Sequence, residues 1–545
     1  MTTSDPNAST TATSPPNVIR LPAARLWPDA EELDGCTAHQ REQYALATAG
    51  PVGILGGTPG TGKTFTAAAI LRALVRRVAP YDIRVVAPTG KAAVRLTAGL
   101  QANGVDSIEG TTIHRALGVS RNGHDGKGWG FQYSAQNPLP QRFVIVDECS
   151  MIDTELFASL TAALAPGSHL LLIGDTGQLP PVGHGAPLRD LIAAGLPYGC
   201  LSEIKRNAGA IVSACQSIRA GRPWQFSQRA EIATGQNLTF HEFATPEQVV
   251  GKIENLLRVA PSRGINPVWD CQVLTPLNQG PVLGREALNQ RLRELLNPLP
   301  PTATPAERAA PFRVGDKVIC LTNHHAQRLQ DDAADADNAK AAEDPEKNRV
   351  EYVANGELGR VTAVTPKEVA IRLQTPERTV IAQVFPAKPD AGTSPPPVTG
   401  ADGRQAKQRE RKSEGGSEFG LAYAITVHKS QGSSAPIVIV VADPSPGARM
   451  IGCRELVYTA ISRAERLCIV VGSRRALESD CRKIALPRRQ TALAKMLSGA
   501  LARNAARLSQ GGGRGWEEPA ASPNAEATTD AQTTATTATT TNATI

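Results

Sequence analysis

Continuous apolar runs that stop abruptly at polar residues constrain this chain more than any other feature. They read "IRVVAPT" (residues 83–89), "RFVIVDE" (142–148), "HLLLIGD" (169–175), "CQVLTP" (271–276), "PIVIVVAD" (436–443) and "LCIVVG" (467–472). A strand that is apolar on both faces must be covered on both, which is the condition of a parallel sheet flanked by crossover helices. Amphipathic segments such as "TAAAILRALVRRV" (66–78) and "CRELVYTAISRAE" (453–465) supply those helices. The expectation is an α/β fold. The runs fall into two groups, about 50–175 and 270–472, and 545 residues exceed what one core usually covers, so two sheets are expected.

A different texture interrupts the second group. "FRVGDKVICLTN" and "YVANGELGRVTAV" read as short strands with Gly turns, as in a small β-barrel insert. The Ala/Asp/Lys run from 327 to 349 and the Pro/Gly/charged run from 386 to 420 read as loops. The Thr/Ser/Ala/Pro-biased N-terminus and the segment after Trp516 cannot bury enough apolar area to order themselves and are expected to be disordered tails.

The formal charge of +7 and pI near 8.9 suit a partner of polyanions, although a solvated basic surface gives the same balance. Nine scattered cysteines, without a CxxC pair or a Cys/His cluster at zinc spacing, fit free thiols in a reducing cytoplasm. No apolar run approaches the roughly 20 residues of a membrane helix, and the N-terminus lacks the pattern of a secretory signal. A soluble, cytoplasmic protein with no membrane partner is expected.

Three motifs carry chemistry. "GGTPGTGKTF" places Gly57, Gly62, Lys63 and Thr64 in the GxxxxGK[ST] pattern between an apolar strand and a helix. Glycines there let backbone N–H groups wrap phosphates, Lys63 reaches the β- and γ-phosphates, and Thr64 is a ligand for Mg²⁺. "VIVDECSM" ends a strand with Asp147 and Glu148, one carboxylate to hold Mg²⁺ and its neighbour to polarise an attacking water. "LLIGDTGQLPPVGHG" sets Asp175 and Gln178 just beyond another strand, where an amide can meet a γ-phosphate. The combination points to NTP hydrolysis.

With these, the ordered series "CTAHQREQ", "GGTPGTGKT", "APTGKAAVRL", "TTIHRALG", "VDECSM", "GDTGQLPPVGHG", "LSEIKRN", "ITVHKSQGSS" and "VYTAISRAE" resembles the superfamily 1 helicases, in particular their RecD-like, 5′-to-3′ branch. The resemblance implies two RecA-like P-loop domains with ATP and Mg²⁺ between them. It divides the chain into a tail (1–33), domain 1A (34–268) with a 1B hairpin (118–138), domain 2A (269–480) with an SH3-like 2B insert (302–420), and a basic segment running into a second tail (481–545). Gly57, Thr58, Pro59, Gly60, Thr61, Gly62, Lys63 and Thr64 would bind the nucleotide, and Gln40 would contact the adenine edge. Catalysis would fall to Lys63, Asp147, Glu148, Gln178 and two arginines, Arg206 and Arg463, with Arg463 reaching from the second domain as an arginine finger. A structural ion pair with Glu455 or Glu465 is the competing role for Arg463.

The same resemblance puts Pro88, Thr89, Thr112, His114, Thr275, Pro276, Thr426, His428 and Gln431 on a track for single-stranded DNA; capping and turn roles compete at each. Trp129, Phe131 and Tyr133 form the densest aromatic cluster, either a pin that splits duplex DNA or a buried hairpin face. Arg474, Arg475, Arg482, Lys483, Arg488 and Arg489 are either further phosphate contacts or one face of a solvated helix. The implied activity is an ATP-dependent DNA helicase or translocase, acting on single-stranded and duplex DNA in repair or recombination, with partner proteins of that process. The alternative is a non-unwinding, ATP-switched DNA-binding subunit of a recombination or nuclease complex.

Overall fold

The computed structural model describes residues 27–120, 130–203, 209–329, 350–374, 377–385, 416–485, 489 and 491–510. Its first sheet has six strands in the order Gly110–Thr112, Ile83–Ala87, Phe143–Val146, His169–Gly174, Val52–Gly57, Tyr198–Leu201, and every pairing is parallel. Apolar residues alternate between two cores. Leu55, Phe143 and Ile173 face one, with the helix Lys63–Val75 over them, while Ile54, Val144 and Leu172 face the other. That two-sided burial is why these strands are apolar throughout.

The second sheet repeats the design with five parallel strands, Ala424–Thr426, Cys271–Thr275, Ala435–Ala442, Ala464–Gly472 and Leu238–Glu242. Val438 and Val440 face one core and Ile437, Ile439 and Val441 the other. The third sheet is antiparallel and eight-stranded. Its strands run from Lys317–Cys320 to Phe419–Leu421 and enclose their own core of Val318, Val361, Ile371, Val380 and Phe419. This is the β-rich insert, emerging between strands of the second sheet as expected.

Two boundaries are corrected. The second lobe begins well before residue 269: the helix Ala210–Arg219 packs into its core, Leu238–Glu242 pairs with Ala464–Gly472, and the helix Pro246–Val259 covers its other face. "LTFHE" is an edge strand, buried only at its start, so it lacks the apolar run that marks the central strands. The N-terminal tail is also shorter than 1–33. Trp27 (2% exposed) and Leu33 (0%) lie in the first core. Trp27 packs edge-on against Phe143 and His169, and Tyr44 Oη donates to Pro28 O at 2.8 Å.

Within the 118–138 span expected to hold a hairpin, Val119–Ser120 pairs antiparallel with Gly130–Phe131; Trp129 lies outside the described residues. Phe131 and Tyr133 pack, partly buried, on the first lobe's core. Residues 1–498 form one compact unit and 499–545 another. The helix Leu493–Gln510 lies in the basic segment, and the expected tail after Trp516 lies outside the described residues. Among the described residues, no helix is long and apolar enough to cross a membrane. The nine cysteines are free thiols.

Candidate active site between the lobes

The Val52–Gly57 strand delivers the chain into the phosphate loop. Gly62 adopts φ of +86° and Gly60 +83°, left-handed conformations that glycine reaches without strain, just before the helix Lys63–Val75 begins. A Cβ on Gly57 would lie 2.8 Å from Thr61 Oγ1 and 3.2 Å from Lys63 Cγ. Thr61 Oγ1 donates to Thr58 O at 2.7 Å. Lys63 Nζ donates to Gly57 O (2.9 Å) and Thr58 O (3.2 Å), holding an ammonium group over the loop. Gln40 is buried against it: its Nε2 donates to Thr61 O at 3.3 Å and its Oε1 accepts from Thr37 N. Pro59 and Thr64 are half-buried in the same loop and first helical turn.

Across the sheet, Asp147 and Glu148 follow the Phe143–Val146 strand. Glu148 is the one non-glycine residue with positive φ (+52°) among those described; such strain concentrates at functional sites. Burial, then the adjacent Glu148 charge, pushes the Asp147 carboxyl up to about 6, with Lys63 and Arg95 pulling the other way. The two crowded carboxylates are hard-oxygen donors of the kind that suits Mg²⁺. Thr58 Oγ1, Glu148 Oε2 and Gln178 Oε1 are buried without hydrogen-bond partners. Such groups normally find partners, and here they fit the phosphates, water and metal of a nucleotide site.

The second lobe meets this site at the loop that follows the His169–Gly174 strand. Leu179, next to Gln178, inserts its side chain into the second lobe's core. Its N–H donates to Thr459 Oγ1 (3.0 Å), and its carbonyl accepts from Gln431 Nε2 (3.2 Å). Asp175 Oδ2 accepts from Tyr458 Oη at 2.7 Å. Arg463, 5% exposed, donates to Thr459 O, Ser433 O and Ser462 Oγ at 3.1 Å each. Burial lowers its pKa from the usual arginine value, while Glu148 and Asp175 of the first lobe act to keep it charged. The alternative partners are engaged elsewhere: Glu455 accepts from Ala485 N, and Glu465 accepts from Ser434 Oγ. Arg206 lies outside the described residues.

The expected strand track is more internally engaged. Thr112 sits beside Ala87, and Thr275 beside Thr426, in paired registers. Thr89 Oγ1 and Thr112 Oγ1 cap helices, accepting from Ala92 N and Arg115 N. Thr426 Oγ1 accepts from Lys429 N. Thr275 is fully buried and donates to Leu283 O at 2.6 Å. Pro276 is buried, Pro88 half-buried and His114 exposed. Burial lowers the His428 pKa. In the basic segment, Arg474 stacks over Phe226 and Phe240 (5.4 and 4.6 Å), Lys483 donates to Arg449 O, and Arg489 donates to Gly183 O and Gly185 O. Arg488 lies outside the described residues.

Sequence reasoning passed over Leu179, Tyr458, Lys91 and Arg95. Arg95 Nη1 donates across the cleft to Gly432 O at 3.2 Å. Lys91 Nζ is buried without a partner, and burial, with Lys317, Arg95 and Arg463 nearby, pulls its pKa down to about 7. The two cations stand four residues apart in "APTGKAAVRL", one face of a helix. That spacing was the available signal.

Phosphate loop, strand-end carboxylates and a second parallel-sheet lobe that reaches the first define a two-lobed fold of the P-loop NTPase class. Comparison with known proteins places the chain more narrowly. An AAA domain matches residues 35–236 and a UvrD-like helicase C-terminal domain matches 421–471. The ATP-dependent RecD2 DNA helicase of Deinococcus radiodurans is 30% identical over 422 residues, covering 77% of this chain and 47% of that protein. The chain thus spans about half the length of that relative. The RecBCD enzyme subunit RecD of Mycolicibacterium smegmatis is 29% identical over 509 residues, 88% of this chain and 79% of that one. A Bacteroides Pif1 helicase solved with ADP-AlF3 and single-stranded DNA superposes with a TM-score of 0.40 at 17% identity, over 84% of this chain and 94% of that one, too distant to add to the assignment. Over most of its length the chain is thus similar to RecD-like helicases of superfamily 1.

Proposed function

We propose that this protein is an ATP-driven motor that moves 5′ to 3′ along single-stranded DNA and unwinds duplex, in repair or recombination. The observation that carries the reading is the Leu179 joint: the residue beside Gln178 is held by the second lobe through its side chain, its N–H and its carbonyl. A change at a γ-phosphate touching Gln178 would therefore displace the lobes relative to each other.

In this reading the N–H groups of Thr58 and of Gly60 through Thr64, with the Lys63 ammonium, bind the phosphates, while Gln40 borders the adenine. Thr64 and Asp147 would hold Mg²⁺. When bound, that ion neutralises phosphoryl charge as the terminal phosphate passes to water. Glu148 orients and deprotonates the water. Arg463, with Arg206, meets the charge that develops on the phosphoryl oxygens, a contribution of about 10³ or more in rate. Pro88, Thr89, Thr112, His114, Thr275, Pro276, Thr426, His428 and Gln431 border the strand, acting through backbone groups wherever their hydroxyls are already engaged.

The test is ATP hydrolysis and strand displacement on 5′-tailed, 3′-tailed and blunt duplexes, with RNA oligomers as a second series. The expected result is hydrolysis stimulated by DNA strands and displacement from the 5′-tailed substrate. Stimulated hydrolysis without displacement on any substrate would identify instead an ATP-switched DNA-binding subunit. Stimulation by RNA alone would overturn DNA as the substrate.

A further inference from the structure

The motor reading leaves one cavity unused, directly behind the Leu179 joint. It measures about 320 Å³, within the range of small-molecule sites. The first lobe supplies its apolar walls through Ile152, Pro180, Pro187, Leu188 and Ile192. Arg219 completes it from the other side. That residue ends the helix Ala210–Arg219, which packs through Ile211, Ala214, Cys215 and Ile218 into the second lobe, and its Nη2 donates to Thr176 Oγ1 of the first lobe at 2.9 Å. The cavity therefore lies between lobes.

Its charges are already balanced. Arg189 is paired with Asp190 at 2.6 Å. Arg219 has Asp175 close enough to favour its charged form against burial. An ionic occupant would meet no uncompensated partner and would lose its hydration. Hydrogen-bonding capacity, by contrast, is unmet. Ser150 lines the cavity and is 8% exposed, and its Oγ has no hydrogen-bond partner. The lone pairs of that hydroxyl oxygen can accept from a ligand N–H or O–H, so a donor group complements it.

We propose that this cavity binds an uncharged aromatic molecule bearing an N–H or O–H donor, about the size of indole, and that the occupant holds the two lobes in one arrangement. A ligand touching both lobes binds best where its walls are together, and by linkage it favours that arrangement. The binding stands apart from the motor reading; only its effect on turnover rests on it.

Indole is the probe. Titrated into the full chain and followed by calorimetry, it should bind saturably with Kd of about 1 mM or tighter, a modest demand on a ligand of this size. Ile192→Trp, which fills the cavity, should weaken binding at least about tenfold. Ser150→Ala, which removes a hydroxyl that bonds nothing in the chain, should weaken it by about threefold or more and covers the case in which the bulkier variant does not fold. Indole in a soaked crystal should lie against Leu188 and Ile192. No saturable binding, parental affinity in both variants, or indole found elsewhere would overturn the site. Saturating indole should lower strand-stimulated turnover at least about twofold with KM for ATP unchanged; unaltered turnover with binding established overturns the lobe-holding role. A protein with no strand-stimulated turnover at all would sink the motor reading and leave the titration standing.

Discussion

At the strand ends of the first lobe, polar atoms stay unspent: Thr58 Oγ1, Glu148 Oε2 and Gln178 Oε1 are buried and bonded to nothing. At the strand ends of the second lobe, similar groups are engaged. Thr275 donates to Leu283 O, Gln431 to Leu179 O, and Arg463 to Thr459 O, Ser433 O and Ser462 Oγ. The two sheets share a parallel design, so the fold alone does not account for the difference. An unsatisfied buried polar group costs about 1–3 kcal/mol, a strain tolerated where a ligand relieves it. The first lobe is built as a receptor, whereas the second is built as a rigid body that addresses it.

The sharpest way to break this contrast is to remove a receptor group. Lys63→Ala or Glu148→Gln should reduce strand-stimulated ATP hydrolysis by about 10²–10³ or more, the scale of a lost transition-state contact, with thermal unfolding close to the parent. Parental hydrolysis would remove these residues from the chemistry. The joint comes next. Leu179→Ala should lower unfolding stability by about 2–5 kcal/mol and raise the ATP consumed per base pair displaced; an unchanged ratio would show that the loop does not transmit motion.

Asp147 sharpens the contrast through pH. Its folded pKa of about 6 lies above the ordinary 3.8, so the folded state disfavours the ionised carboxyl. This group therefore subtracts stability progressively as pH rises through that window, and the loss is complete above it. Asp147→Asn, melted without nucleotide or divalent cation, should gain more at pH 8 than at pH 5. An equal gain at both would contradict the crowding of the two carboxylates. The smallest effect is expected from Thr275→Val, which should cost about 1 kcal/mol of stability and leave single-strand affinity unchanged. A drop in affinity at intact stability would return that hydroxyl to the track.

What was legible in the sequence divides along the same line. The phosphate loop and the Asp147–Glu148 pair are short, local and chemically unusual, so residue type and spacing expose them. The central strands announce themselves because burial on both faces leaves no polar positions. The joint is invisible by that logic: Leu179 is an ordinary apolar residue whose importance comes from a partner lobe, with Thr459 280 positions away in sequence. Trp27 hides in a biased segment that composition marks as a tail, although one aromatic ring suffices to pin it to Phe143. The early start of the second lobe hides in an edge strand half exposed to solvent. Polar track residues are misleading for a third reason. Threonine at a strand end caps the next helix as readily as it meets a phosphate, and Thr89 and Thr112 do cap.

The central claim is that the lobes share one nucleotide, with Arg463 facing carboxylates that belong to the other lobe. Single-turnover cleavage of bound ATP by Arg463→Ala at saturating DNA strand tests it most directly, with melting and ATP affinity measured alongside. The account predicts a correctly folded variant that binds ATP nearly as the parent does and cleaves it about 10³ times more slowly. Cleavage at the parental rate would contradict it.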